Sequence, residues 1–196
     1  MTRIIFVRHA QSLPSPDLPE EVWPLSEKGQ AQARDLAPVL GELGVSALAS
    51  SPFLRAVETL KPFADQAGLP IHVDEDLRER NLSAGWLPDI AGVEDAVRKM
   101  HADLDYCLPG GESGRECLAR FEAAIARVAA LYPGQTVAIG SHGGVLGHLA
   151  ARHRSDLPAD FWRSIRNPHL FFFDLTGEAR WTGERTLDGS AGVASW

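Results

Sequence analysis

Two short apolar runs, each followed closely by a histidine, constrain the fold of this chain more than any other feature. Residues 4–7 (Ile-Ile-Phe-Val) precede Arg8-His9, and residues 137–139 (Val-Ala-Ile) precede His142. Apolar runs of this length between turn signals are typical of buried strands. The carboxyl ends of parallel strands meet at one edge of an open α/β sheet, where ligands bind. The sequence therefore predicts that both imidazoles lie at the same edge of a sheet.

Strand and helix patterns alternate along the rest of the chain, which predicts an α/β fold. Three helix starts are marked by capping signals: Ser26, Ser51-Pro52 and the capping box formed by Ser113 and Glu116. Further strands are expected at residues 45–49, 71–73 and 170–173, the last paired as a hairpin with residues 179–186 across Thr176-Gly177.

The length of 196 residues suits one domain with a full hydrophobic core, so we expect residues 1–196 to form a single domain. Residues 80–112 are expected to be an irregular inserted cap. The tail at residues 188–196 is rich in glycine, alanine and serine and is expected to be loosely held.

Charge and hydropathy exclude several classes of partner. The formal net charge of −7 disfavours nucleic acid, and no apolar run approaches the length of a membrane span or a signal-peptide core. We therefore expect a cytoplasmic protein with neither nucleic-acid nor membrane partners. Cys107 and Cys117 have neither metal-type spacing nor a disulfide framework, and both are expected to be free thiols.

Arg8, His9 and Arg55 together favour an anion site, because a guanidinium offers a planar fork of donors to phosphate or carboxylate. Phosphoryl transfer needs positive charge around three equatorial oxygens, which Arg8, Arg55 and a protonated His142 can supply. A neutral ring nitrogen of His9 can attack phosphorus and form a phosphohistidine. Glu79 is a candidate proton donor to the leaving group. Apolar walls would favour its protonated form and nearby arginines its carboxylate, and the sequence leaves both open.

Six segments in a fixed order carry a family resemblance that covers about residues 3–175. They are Arg8-His9-Ala10-Gln11-Ser12, residues 25–33 (LSEKGQAQA), Ser50-Ser51-Pro52 with Arg55-Ala56 and Thr59, Leu77-Arg78-Glu79, Gly110-Gly111-Glu112-Ser113 and Ser141-His142-Gly143-Gly144. Together they resemble the histidine phosphatase superfamily, which is also called phosphoglycerate mutase-like. The resemblance implies a three-layer α/β/α sandwich with a mostly parallel sheet, and neither a metal nor an organic cofactor.

The resemblance also implies roles for individual residues. By carry-over, His9 is the phosphorylated nucleophile, and Arg8, Arg55 and His142 hold the phosphoryl group. Glu79 is the proton donor and then the base that activates water. Three further positions in these segments are implied as substrate-binding, and they are Gln11, Ser12 and Gly143.

Two departures from the family pattern bear on function. Ala10 stands where the family most often has glycine, which matters only if the backbone there needs a positive φ. The cofactor-dependent mutases have a tryptophan-asparagine segment after the first motif, whereas this chain has residues 13–16 (LPSP) there. Those mutases also have a longer insertion, whereas in this chain Gly111 follows Glu79 by only 32 positions. We therefore expect a phosphatase acting on a small phosphate ester, with a phosphoglycerate mutase or a non-catalytic phospho-ligand binding module as alternatives.

Several residues have competing interpretations. Glu75, Asp76 and Glu112 are acidic alternatives to Glu79. The other histidines, at positions 72, 101, 148, 153 and 169, are expected in packing or on the surface, and their spacing lacks the pattern of a metal-dependent hydrolase. Three aromatic residues in the two loops near the cleft are candidates for its rim or for packing, and they are Trp23, Trp86 and Tyr106. Arg80 is a candidate for a second anion contact or for a solvated charged face. The substrate and the oligomeric state are not legible from the sequence.

Overall fold

A six-stranded sheet forms the centre of the computed structural model, which describes residues 2–83, 90–158, 160–174 and 180–187. The strands are β1 (Arg3–Arg8), β2 (Ala47–Ser50), β3 (Ile71–Val73), β4 (Thr136–Ser141), β5 (His169–Asp174) and β6 (Arg180–Thr186), in the order β3-β2-β4-β1-β5-β6. The first four of these run parallel, whereas β5 is antiparallel to both β1 and β6. The predicted α/β class with a mostly parallel sheet is confirmed.

Five α-helices lie within the described residues, and two of them begin at predicted caps. The helices are α1 (Glu27–Glu42), α2 (Leu54–Ala67), α3 (Ile90–Ala102), α4 (Gly114–Leu131) and α5 (Gly143–His153). Ser26 Oγ accepts a hydrogen bond from the backbone N–H of Gly29, and Ser113 and Glu116 form the predicted capping box. These side chains satisfy N–H groups that have no partner inside the helix.

The core has two parts because successive strand residues point to opposite faces of the sheet. Ile4 and Phe6 of β1 pack in one cluster with apolar residues of α4 and α5. Ile5 and Val7 pack in the other cluster with apolar residues of α1 and α2. The sheet is therefore covered on both faces, and the result is the expected α/β/α sandwich.

Two expectations about local structure are wrong. Ser51-Pro52 does not open a helix, because α2 begins at Leu54 with Phe53 at its N-cap. Ser51 Oγ instead accepts the backbone N–H of Phe53 at 3.2 Å, and the chain turns between β2 and α2. Residues 80–112 are not wholly irregular, since they contain α3. Its Ala96 and Met100 are buried one helical turn apart, and this spacing gives the segment an apolar face.

The end of the chain agrees with expectation where it is described. β5 and β6 form an antiparallel pair, while the Thr176-Gly177 turn and the tail at residues 188–196 lie outside the described residues. Cys107 and Cys117 are free thiols, as predicted. Within the described part of the chain, no helix is long and apolar enough to cross a bilayer.

Candidate active site

The two histidines meet because β1 and β4 are neighbours in the sheet. These strands pair in parallel with Arg8 opposite Ser141, so His9 and His142 leave the sheet side by side. Their ring centroids are 5.3 Å apart, and both rings are buried. The carboxyl edge of the sheet therefore carries the pair of imidazoles that the sequence predicts.

His9 is held as a neutral ring whose Nε2 faces Arg55. Its Nδ1 lies 2.7 Å from the carbonyl oxygen of Ala10, so Nδ1 carries the proton and donates it there. Nε2 then has a free lone pair, which accepts a hydrogen bond from Nε of Arg55 at 3.2 Å. Burial, followed by the charges of Arg55 and Arg8, lowers the pKa of His9 well below 6.5. His9 is therefore neutral and nucleophilic at neutral pH.

The backbone on either side of His9 is fixed by hydrogen bonds. Its N–H donates to the carbonyl of Ser141 at 3.0 Å, and Nδ2 of Asn167 donates to its carbonyl at 2.7 Å. The N–H of Ala10 donates to Oγ1 of Thr59 at 2.9 Å. No non-glycine residue in the described chain has a positive φ, so alanine at position 10 carries no backbone strain.

Two buried arginines surround the imidazoles. Arg8 ends β1 and donates from Nη1 to the carbonyl of Ile165. Burial is the main cause that lowers the pKa of Arg8 to about 10, so the guanidinium remains charged at neutral pH. Arg55 lies in the first turn of α2, is 3% exposed, and also contacts Glu20. The site thus holds two cations where water is largely excluded.

His142 precedes α5 and has one ring nitrogen without a partner. Its Nε2 shares a 2.8 Å hydrogen bond with Oγ of Ser51, whereas its Nδ1 is buried with no hydrogen-bond partner among the described residues. Burial, followed by the charge of Arg55, lowers the pKa of His142 well below 6.5. The ring is therefore neutral at neutral pH. A bound dianion would favour its protonated form by opposing the arginine charges.

Glu79 lies against the N-terminus of α5. Its Oε1 accepts the backbone N–H groups of Arg80 and Val145 at 2.8 and 2.9 Å, and its Oε2 accepts that of Gly144 at 2.9 Å. The acidic alternatives are engaged elsewhere, since Asp76 pairs with Arg127 and Glu112 with Arg120, while Glu75 is exposed. Glu79 is therefore the carboxyl group that the fold holds beside the imidazoles.

Two glycines allow this close packing. A Cβ on Gly143 would lie 3.0 Å from Cζ of Arg8, and a Cβ on Gly144 would lie 2.8 Å from Oε1 of Glu79. Both distances are shorter than ordinary carbon contacts, so a side chain at either position would push against the site. The Gly-Gly pair after His142 is thus explained by space for Arg8 and Glu79.

Two of the implied binding residues contact segments outside this cluster. The side chain of Gln11 is exposed, and its Oε1 accepts from Oγ of Ser26 at 2.9 Å. Ser12 forms an isolated antiparallel bridge with Leu25. The structure therefore brings Gly143 into the cluster but places Gln11 and Ser12 at the base of the loop that leads to α1.

The candidate rim residues lie in different environments. Nε1 of Trp23 donates to the carbonyls of Ser15 and Leu18, and the ring lies 5.5 Å from Cζ of Arg55. Tyr106 uses its carbonyl to accept from Arg80, and Trp86 lies outside the described residues. Trp23 is thus the one of these aromatic residues that the structure places against a site arginine.

Glu20 and Ser51 contact the site although sequence reasoning assigned no role to them. Glu20 lies on the short 3-10 turn Glu20–Val22, and its Oε1 lies 2.5 Å from Nη2 of Arg55. Partial burial raises the pKa of Glu20. No local pattern marks Glu20, because its partner is 35 positions away. Ser51 stands in a motif that resembles the family, and this was the available signal for its contact with His142.

Across the described residues, no three side chains of histidine, cysteine, aspartate or glutamate are grouped so that they could hold a metal ion. The fold and site define an α/β protein with a buried cationic pocket that presents one unprotonated histidine nitrogen. Such a pocket is suited to phosphate esters. Residues 4–182 match the family model of the histidine phosphatase superfamily, branch 1, and the chain belongs to this superfamily.

Curated relatives and solved structures agree with this assignment. The chain is 32% identical over 148 residues to the probable phosphoglycerate mutase GpmB of Enterobacter sp. (strain 638), which covers 73% of this chain and 68% of the relative. It is 30% identical over 179 residues to the protein of the same name from Salmonella newport, which covers 88% and 82%.

Among solved structures, the mycobacterial glucosyl-3-phosphoglycerate phosphatase in complex with VO3 superimposes with a TM-score of 0.74 at 25% identity, over 96% of this chain and 99% of that one. A putative alpha-ribazole-5'-P phosphatase from Escherichia coli has a TM-score of 0.72 at 24% identity, over 95% and 97%. The second comparison shows the shared fold alone.

Proposed function

We propose that this protein is a metal-independent phosphomonoesterase that hydrolyses a small phosphorylated metabolite through a phosphohistidine at His9. The observation that carries the proposal is the neutral His9 ring, with Nε2 facing Nε of Arg55 while Nδ1 donates to the carbonyl of Ala10. A nucleophile needs an unprotonated nitrogen, and the transferring group needs adjacent cations. Both requirements meet at this atom.

In the first step, the lone pair of His9 Nε2 attacks phosphorus, and the bond from phosphorus to the ester oxygen breaks. Arg8 and Arg55 stabilise the negative charge on the three equatorial oxygens. Nδ1 of His142 is the buried donor still available to one of these oxygens. The proton that remains on Nδ1 of His9 is stabilised by the carbonyl of Ala10, so the positively charged phosphohistidine keeps its partner.

The leaving oxygen takes a proton from Glu79. Oε2 of Glu79 accepts one backbone N–H whereas Oε1 accepts two, so Oε2 retains a lone pair on which that proton can be carried. In the second step, Glu79 takes a proton from water while the water oxygen attacks phosphorus. The phosphorus–nitrogen bond breaks, and inorganic phosphate and neutral His9 are regenerated.

The proposal treats the chain as one domain in which α3 is part of the cap. Val97, Met100 and His101 of α3 line a cavity whose other walls include Glu79 and Gly144. A helix in this position separates the reacting atoms from bulk water, which strengthens electrostatic interactions inside the site.

A phosphoglycerate mutase is the second candidate, and it is favoured by the names of the curated relatives, which are probable phosphoglycerate mutases. A mutase uses the same phosphohistidine but returns the phosphoryl group to a second hydroxyl of the bound molecule. A binding module that does not turn over would keep the pocket without either product. These alternatives differ in their products, which are inorganic phosphate, an isomerised phosphate ester, or neither.

The test is release of inorganic phosphate from a panel of phosphomonoesters in the presence of a chelator, with His9→Ala as the variant. We expect release that survives the chelator and falls by on the order of 10³-fold or more in the variant. His72→Ala is the matched control, because His72 is an exposed histidine on β3.

Three outcomes would contradict the proposal. Isomerisation of phosphoglycerates without release of phosphate would establish the mutase instead. Loss of activity with the chelator would point to a bound metal. Near-normal rates in His9→Ala would exclude the covalent intermediate.

A further inference from the structure

A cavity of about 300 Å³ adjoins the phosphate site on the side of α3. Its walls include Glu79 and Gly144, so it opens directly onto the carboxyl group that is proposed to protonate the leaving oxygen. Ligand pockets begin at roughly 300 Å³, and a cavity of roughly 150 Å³ is sufficient for benzene. The cavity is thus large enough for one or two rings, and it lies where the organic part of a phosphate ester must go.

The lining is dominated by apolar and aromatic side chains. They come from the beginning of the cap, from α3 and α5, and from the Phe161–Ser164 turn. They are Leu82, Val97, Met100, His101, His148 and Trp162. Three of these rings form a stack. The His101 ring lies 4.2 Å from that of His148 and 5.5 Å from that of Trp162, with interplanar angles of 21° and 4°. The cavity therefore has a wall of flat rings.

Both imidazoles in this wall are uncharged at neutral pH. Burial, followed by the charge of Arg80, lowers the pKa of His101 to about 4. Burial, followed by the charges of His101 and Arg80, lowers the pKa of His148 to about 2. The stack consequently offers neutral ring surfaces, and not cations, to a ligand.

Arg80 is the only cation among the described lining residues, and it is engaged by the protein. Its Nη1 donates to Nε2 of His148 at 2.8 Å, its Nε to the carbonyl of Glu112 at 3.0 Å, and its Nη2 to the carbonyl of Tyr106 at 2.9 Å. Only 3% of Arg80 is exposed. Three of its five N–H donors therefore hold the wall together.

The remaining charges on the walls are negative. They belong to Glu20 and Glu94, which line the cavity together with Glu79, the proposed proton donor. A nearby cation, Arg163, lies 5.1 Å from the centre of the Trp162 ring and pairs with Glu94 at 3.4 Å. Residues 84–89, which lie outside the described chain, contain one aspartate and neither lysine nor arginine. A carboxylate on the leaving group would thus lose its hydration, and among the described lining residues only Arg80, three of whose donors are engaged by the protein, could offset that loss.

We propose that this cavity selects an uncharged, apolar leaving group of one or two rings and rejects one that carries a carboxylate. The inference rests on the proposed function and defines its substrate class. It disfavours phosphoglycerates as substrates, because their carboxylate would face Glu20 and Glu94. The phosphate is bound by Arg8 and Arg55, and the cavity recognises the alcohol.

The first test measures binding, so that it does not depend on turnover. Two non-hydrolysable ligands, 2-phenylethylphosphonate and its 4-carboxyphenyl analogue, are titrated calorimetrically into the wild-type protein. They differ only by the carboxylate. We expect the uncharged ligand to bind roughly 10- to 200-fold more tightly. Equal affinities, or tighter binding of the carboxylate, would overturn the proposal.

The second test uses the hydrolysable pair, benzyl phosphate and 4-carboxybenzyl phosphate. We expect the ratio of their kcat/KM values to favour benzyl phosphate by a similar factor, and a ratio near one would contradict the inference. Failure of both esters to release phosphate, combined with the expected preference in binding, would overturn the proposed function and leave the cavity's selectivity established. The two proposals can therefore fail separately.

Variants connect the preference to the named walls. Trp162→Leu should weaken binding of 2-phenylethylphosphonate about tenfold more than binding of methylphosphonate, which does not reach the wall. Trp181→Leu is the matched control, because Trp181 packs on Phe171 and Phe173 away from the cavity. Leu82→Arg adds a cation to the lining and should reduce the discrimination against the carboxylated ligand. The assignment of this wall would be contradicted by two results together. Trp162→Leu would leave the ratio of the affinities for 2-phenylethylphosphonate and methylphosphonate unchanged, and Leu82→Arg would leave the discrimination against the carboxylated ligand unchanged.

Discussion

Oε1 of Glu20 lies 2.5 Å from Nη2 of Arg55, so a carboxylate already occupies part of the guanidinium that the proposed mechanism assigns to phosphate. The backbone carbonyl of Glu20 accepts from Nη1 of the same arginine at 2.8 Å. The Glu20 side chain retains 45% of its exposure, so water can replace this contact when it breaks. A phosphate that enters the site must therefore displace Glu20 or share Arg55 with it.

Glu20→Gln should strengthen the binding of phosphate. Removing the competing charge releases Arg55, and a half-exposed ion pair is worth up to about 1 kcal/mol, so the inhibition constant for inorganic phosphate should fall roughly two- to fivefold. Product-inhibition kinetics measure this constant. Glu21→Gln is the control, since Glu21 is the exposed neighbour of Glu20. An inhibition constant that does not change would show that Glu20 and phosphate do not compete.

Glu79→Gln should slow hydrolysis according to the leaving group. An alkoxide needs a proton to depart, and a general acid contributes roughly 10²- to 10⁴-fold, whereas p-nitrophenolate departs with little help. We expect kcat to fall by this factor for benzyl phosphate and far less for p-nitrophenyl phosphate. Glu75→Gln, an exposed carboxylate in the preceding turn, should have no effect. Equal losses on both esters would remove Glu79 from the role of proton donor.

Gly144→Ala should reduce activity while the protein remains folded. The added Cβ would lie 2.8 Å from Oε1 of Glu79, and this side chain can move away. Alanine also favours a helix over glycine by about 1 kcal/mol, which offsets the strain. Displacing Glu79 should lower kcat for benzyl phosphate by roughly tenfold or more. Gly41→Ala in α1 meets only Phe63 at 3.8 Å, and it should leave kcat unchanged. A fully active Gly144→Ala would contradict the need for this close packing.

Stability should fall as the pH decreases below about 6.5. Five histidines have pKa values lowered mainly by burial, and they are His9, His101, His142, His148 and His169. In this range the unfolded chain binds protons at these positions and the native protein does not, so acid favours unfolding. The loss caused by His101 should level off below its pKa of about 4.

Urea denaturation at several pH values measures this dependence. His101→Phe keeps a ring in the stack but cannot be protonated, so its free energy of unfolding should depend less steeply on pH. The difference should approach about 1.4 kcal/mol per pH unit between pH 6 and 4.5. His72→Phe, at an exposed position, is the control. Parallel curves for His101→Phe and the wild type would show that His101 is not held neutral in the native state.

The sequence predicted the reacting end of the site because the chemistry there follows strand ends. Residues 4–7 and 137–139 form adjacent parallel strands, and this pairing alone brings His9 beside His142. The helix caps at Ser26 and Ser113 were also predictable, because a cap depends only on residues within three positions of each other.

The two wrong expectations concern the turn before α2 and the helix α3, which local composition did not predict. The serine and proline before α2 have the composition of a helix start, yet the Ser51 hydroxyl belongs to a turn and to a hydrogen bond with His142. α3 was missed because residues 80–112 were predicted as irregular from composition, although Ala96 and Met100 lie one helical turn apart and are buried. In both places, packing against distant residues decides the local structure.

By itself, the sequence determined the α/β class, the order of most elements and the imidazoles and guanidiniums of the site, because hydrophobic periodicity and strand-end residues are local properties. Only the tertiary structure decided that Glu20 pairs with Arg55, and that His101, His148 and Trp162 stack beside the cavity. These contacts join residues 35 to 61 positions apart that carry no shared local pattern. They form only when the cap and the loop before α1 pack onto the sheet edge.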